Sequence, residues 1–169
     1  MTQDKTRKIA VSGMLAALII SLSGFYIPVG ASKCFPVQHM VNVLAAVLLG
    51  PWWGVGIAFC ASLIRNAMGT GTLLAFPGSM AGALCCGLVY EKTGRLLFTC
   101  GAEIFGTGVI GGLLAYPVAL FLMGRPAALL GYVLPFLVST AGGTVVAALL
   151  ISVMEKSRVM DTLRHLLCR

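Results

Sequence analysis

The sequence predicts an all-α integral membrane protein, a bundle of six transmembrane helices with both termini in the cytoplasm. Three observations predict it. Of 169 residues, 59% are hydrophobic and only 10% charged, and mean hydropathy is +0.98; a soluble domain has about 45–50% apolar and about 25% charged residues. The apolar residues fall into runs near the length that spans a bilayer, about 17–25 residues. The basic residues sit where an even number of spans places them on one side. Lys5, Arg7 and Lys8 precede the first run, Lys92 and Arg95 occupy a mid-chain loop, and Lys156, Arg158, Arg164 and Arg169 fill the tail. The positive-inside rule makes that side the cytoplasm. A water-soluble enzyme is excluded, and the net charge of +7 reads as topology rather than as nucleic-acid binding.

The whole chain, 1–169, reads as a single membrane domain. The first span covers about 9–27 and ends at Pro28; the basic residues before it mimic a signal peptide, but it reads as an uncleaved span. Ser12, Gly13, Ala16, Ala17, Ser21 and Gly24 give it a small-residue face. Such stripes let helices approach closely in lipid, either within the bundle or against another subunit. Pro28 to Pro36 reads as an outer loop, and the second span, about 37–49, is short. Gly50-Pro51 turns the chain, with Trp52 and Trp53 as interfacial anchors. The third span covers about 51–68, the fourth about 73–90, the fifth about 96–121 and the sixth about 128–154, with Gly124-Arg125-Pro126 as the last outer turn. The cytoplasmic tail, 155–169, alternates apolar and charged residues as an amphipathic helix on the inner surface does.

Polar residues inside spans are costly, about 2.5–3.5 kcal/mol for an ionised one, and mark candidate sites. Gln38, His39 and Asn42 lie at the outer end of the second span and Arg65 and Asn66 at the outer end of the third. Ser79 lies just inside the fourth span and Ser139 and Thr140 near the middle of the sixth. Glu103 falls in the inner half of the fifth. Arg65 has two readings, a ligand contact or a side chain snorkelling to the surface. Glu103 must pair, protonate or line a wet cavity. Gln38, His39 and Asn42 share neighbouring strips of one short helix, and amides with an imidazole suit a small neutral polar ligand. Phe35, Phe76 and Tyr116 offer ring-stacking walls at similar depth.

Catalytic and metal signatures are missing. No GxxxxGK[ST], HExxH or GxSxG occurs, and the six cysteines form no CxxC pair. Cys60, Cys85, Cys86 and Cys100 fall in apolar runs and read as packing residues. Cys34 and His39 would be a poor nucleophile and base, with Pro36 between them and no carboxylate in view. No catalytic residue, metal ligand or cofactor is expected, and any uphill transport needs energy from elsewhere.

Three blocks, KCFPVQHMVNVLAAVLLGPWWGVGIAF, LIRNAMGTGTLLAFPGSMAGAL and EIFGTGVIGGLLAYPVA, resemble the ThiW family over nearly the whole chain. The resemblance implies a substrate-binding S component of an energy-coupling factor (ECF) transporter, in a prokaryotic plasma membrane. It implies the thiamine precursor hydroxyethylthiazole as ligand, with a transmembrane coupling subunit and two ATPase subunits as partners; ATP is hydrolysed there. Docking on the coupling subunit falls to Ser12, Gly13, Ala16 and Ala17. The ligand then lies among Phe35, Gln38, His39, Asn42, Arg65, Asn66, Thr72, Phe76 and Tyr116, with Glu103 favouring a cationic ligand if the vitamin is thiamine-like. The competing readings are an S component for thiamine or another small vitamin, an autonomous secondary transporter or channel using Glu103, and an intramembrane enzyme.

Overall fold

The structure, a computed structural model, describes residues 2–29, 32–124 and 128–167. Gly30 and Ala31 of the first loop, Arg125 and Pro126 of the expected outer turn, and Cys168 and Arg169 lie outside the described residues, as do the side chains of Lys33 and Cys34.

The first helix, α1 (Thr2–Ser21), starts seven residues before the expected span, because its polar first turns carry no helix breaker and hold Asp4 at the helix start. It stops at Ser21 rather than at residue 27, since a turn at residues 22–24 leads into a strand. The expected irregular loop is a small antiparallel hairpin instead, β1 (Ile27–Val29) and β2 (Ser32–Cys34), pairing Ile27 with Cys34 and Val29 with Ser32. Two β-prone triplets this close in sequence fold back on each other, and Pro28 is tolerated in a two-stranded ribbon that is all edge.

Extended Phe35 leads into α2 (Pro36–Leu48), where Pro36 occupies the first turn, a position that needs no N–H. Gly50, at φ +90°, turns the chain directly into α3 (Pro51–Ala67). Then come α4 (Ala75–Thr93) and α5 (Leu96–Leu122), the latter with π-helical segments at Ile104–Gly111 and Val118–Leu122. The sixth helix, α6 (Val133–Lys156), begins five residues later than the spacing suggested, after a turn at 129–132. Pro135 accounts for this, because proline fits only the opening turn of a helix. A short α7 (Val159–Leu167) closes the chain.

The short α2 is the axis of the bundle. Every residue from Gln38 to Val47 is buried, with α1, α3, α4, α5 and α6 packed around it. A helix buried all round needs no amphipathic stripe. Small residues bring the neighbours close: alanine at Gly106 would set its Cβ 3.0 Å from the Gly82 Cα, and Gly111 opposes Gly78 in the same way. In α7, Met160 and Leu167 join the main apolar cluster with Leu49 and Ile151, while Val159 and Leu166 stay exposed. Arg7 Nη1 donates to the Leu166 carbonyl at 3.1 Å, and Arg164 Nη2 to the Tyr90 hydroxyl at 2.6 Å, holding α7 under the bundle.

The exterior is apolar. Leu97, Phe105 and Phe121 on α5 and Leu134, Val145, Leu149 and Val153 on α6 all point outward. Both helices are long and apolar enough to cross a membrane. With polar groups collected inside and apolar ones outside, lipid is the solvent that suits this surface.

Candidate functional site

Between α2, α4, α5 and α6 lies a small, partly open cavity. Phe35, Gln38 and His39 line it from the start of α2, and Thr72, Ala75, Gly78 and Ser79 from the start of α4 and the turn before it. Thr107 of α5 and Phe136 and Ser139 of α6 complete the wall. Two aromatic rings and a handful of convergent polar groups are the usual make-up of a small-molecule site.

One wall centres on Glu103, which is 0% exposed. Its Oε1 accepts from Asn42 Nδ2 and Thr107 Oγ1, each at 3.0 Å, and lies 3.0 Å from His39 Nδ1. His39 Nε2 is 3.1 Å from Ser139 Oγ, which also accepts the Phe35 backbone N–H at 3.0 Å. The carboxylate has room because Gly82 faces it: a Cβ there would sit 2.6 Å from Oε2. Asn42 Nδ2 reaches the Ser79 carbonyl as well, at 3.2 Å.

The opposite wall starts from Arg65, 1% exposed. Its Nη1 donates to Gln38 Oε1, and the guanidinium carbon lies 3.8 Å from the centre of the Phe35 ring. Gln38 Nε2 donates to Ser62 Oγ at 3.2 Å, Ser62 and Ser79 hydroxyls meet at 3.2 Å, and Ser79 Oγ donates to the Ala75 carbonyl at 2.8 Å. Arg65 therefore turns inward and does not snorkel.

Counting along the spans placed Glu103 in the other half of the bundle from His39 and Asn42, and the structure corrects this. Asn42 is six residues from the end of α2 at Leu48, and Glu103 seven from the start of α5 at Leu96. At 1.5 Å per residue these are about 9 and about 10 Å from the basic end, so the two side chains are level. The reason is that α2 is only 13 residues long, so its first residues lie nearer the basic end than those of a full-length span.

Of the expected ligand contacts, Phe35, Gln38, His39 and Thr72 line the cavity, and Asn42, Arg65 and Glu103 stand one bond behind it. Asn66, Phe76 and Tyr116 are not among its lining residues; Phe76 packs edge-on against Phe59 at 5.8 Å. Thr107 and Phe136 were missed, although Thr107 is one turn from Glu103 and Phe136 one turn from Ser139. Along α1 the expected docking residues divide: Ser12 and Ala16 are half-buried, with Ala16 against the core, whereas Gly13 and Ala17 are exposed.

The family model described as thiamine-precursor transporter protein (ThiW) matches residues 9–157. Comparison with curated proteins and with solved structures gives no match.

Proposed function

The chain belongs to the ThiW family of thiamine-precursor transporter proteins, and from that premise we propose that it is the ligand-capturing S component of an ECF-type importer for hydroxyethylthiazole. As a member of a transporter family it is a membrane protein and not an enzyme. The observation that carries the ligand reading is the cavity's composition: two rings, Phe35 and Phe136, and a set of hydroxyl, amide and imidazole groups, with both buried charges set behind the wall. A neutral heteroaromatic ring with one polar arm matches such a lining.

On this reading the six-helix bundle spans the plasma membrane with both termini inside and the short α2 enclosed within it, and the cavity opens outward beneath the hairpin. Ligand enters there and is released inward after the protein docks on a coupling subunit driven by two ATPases. The chain itself binds no ATP and uses no cofactor. Gly13 and Ala17, exposed beside Met14, give a coupling subunit a surface that lets helices approach closely.

Titration of the purified protein with hydroxyethylthiazole and with thiamine tests the ligand. Saturable binding of the thiazole, weakened at least about tenfold in His39→Ala, is the expected result. Absence of saturable thiazole binding, or binding that His39→Ala leaves unchanged, contradicts it. Uptake into liposomes driven by a proton gradient without ATPase subunits would favour an autonomous transporter instead.

A further inference from the structure

The two walls of the cavity are wired in opposite senses, and the buried charges set the sense of each. Arg65 can only donate, so it fixes Gln38 Oε1 as the acceptor end of that amide. Gln38 Nε2 must then face Ser62, with its second N–H left for the cavity. The chain runs on through the serine hydroxyls to the Ala75 carbonyl, which can only accept.

The other wall ends in a carboxylate. Glu103 Oε1 already accepts from Asn42 and Thr107, so it meets His39 Nδ1 as an acceptor too. In the neutral imidazole the proton then sits on Nδ1, and Nε2 presents a lone pair. Ser139 Oγ takes the Phe35 N–H and has its own proton to give to Nε2.

From this we infer that the cavity selects its ligand by polarity: it takes a small heteroaromatic alcohol whose hydroxyl donates to the remaining lone pair of Ser139 Oγ, whose own proton is committed to His39 Nε2, while a ring acceptor receives the Gln38 N–H. The inference rests on the ligand reading above and sharpens it, assigning the alcohol to the His39–Ser139 wall and the ring nitrogen to the Gln38 wall. Arg65 and Glu103 are positioning residues that set these polarities without touching the ligand.

Two measurements test it. The chain has two histidines, so in His165→Gln the only imidazole is His39, and His165 is exposed and away from the cavity. Nitrogen-15 NMR of histidine-labelled, ligand-free His165→Gln near neutral pH should show a proton on Nδ1 and none on Nε2. A protonated Nε2 overturns the inference whatever the ligand proves to be. The second compares hydroxyethylthiazole with its O-methyl ether, which keeps the oxygen but loses the donor. The alcohol should bind about 10- to 100-fold more tightly, and His39→Gln, whose amide supplies donor and acceptor alike, should bring that ratio close to one. Equal binding of alcohol and ether by the wild-type protein overturns the inference while leaving the thiazole assignment standing. Failure of both compounds to bind overturns the thiazole assignment, and the NMR result then decides the polarity alone.

Discussion

Glu103 Oε1 gathers bonds from three helices: from His39 and Asn42 on α2, from Thr107 on its own helix and, through His39, from Ser139 on α6. Removing a buried acceptor leaves its donors unsatisfied, which costs more than the bonds contribute net. Glu103→Ala should destabilise the protein by about 3–5 kcal/mol, read as a lower unfolding midpoint in detergent, with Glu103→Gln costing less because the amide still accepts. At the other wall, Arg65→Lys keeps the charge but cannot lie flat on Phe35 and hold Gln38 in one fixed geometry. Thiazole affinity should fall about tenfold in that variant, as measured by titration, with expression unchanged; unaltered affinity would show that Arg65 does not position Gln38. Individual polar residues were legible in the sequence because ionisable groups in apolar runs stand out. Their partners were not, because a hydrogen bond between helices leaves no spacing signal within either one.

Helix packing depends on which glycines face a neighbour. Gly142 and Gly143 are adjacent in α6, yet a Cβ at Gly142 meets nothing within 4 Å while one at Gly143 would sit 2.6 Å from the His39 Cβ. Gly142→Ala should therefore be neutral or stabilising, by up to about 1 kcal/mol from helix propensity. Gly143→Ala should push α6 off α2, cost about 1–3 kcal/mol from overpacking, and weaken ligand binding. Thermal unfolding and titration of the two variants side by side check both, and similar behaviour would mean that the α2–α6 approach is looser than described. The same spacing that signalled helices could not tell these glycines apart, since each lies in an apolar run. Helix ends were readable where proline fixed them, as at Pro36 and Pro51. They were misread where a turn and strand pairing intervened, as after Ser21, because a strand of three residues is too short to show a period.

At the scale of the molecule the arrangement is inverted relative to a soluble protein, with charge inside and leucine outside. Val145 is 60% exposed in the middle of α6, so Val145→Arg should oppose membrane insertion by about 2.5–3.5 kcal/mol and lower the membrane-inserted fraction, as counted by fractionation. On α1, Gly13→Trp together with Ala17→Trp fills the exposed small strip far from the cavity. Thiazole binding should survive while uptake in cells holding the coupling and ATPase subunits is lost; uptake at the wild-type rate would move docking to another face. The membrane class was legible from composition because it sums over the whole chain, while the cavity was only half legible because it is built from residues up to 104 positions apart, as Phe35 and Ser139 are. The central claim is that this cavity holds the thiazole precursor, and native mass spectrometry of the protein purified from cells supplied with hydroxyethylthiazole tests it most directly. The account predicts one thiazole leaving with each wild-type and Gly142→Ala chain and none with His39→Ala. A wild-type protein that carries no thiazole, or a His39→Ala protein that carries as much, would contradict it.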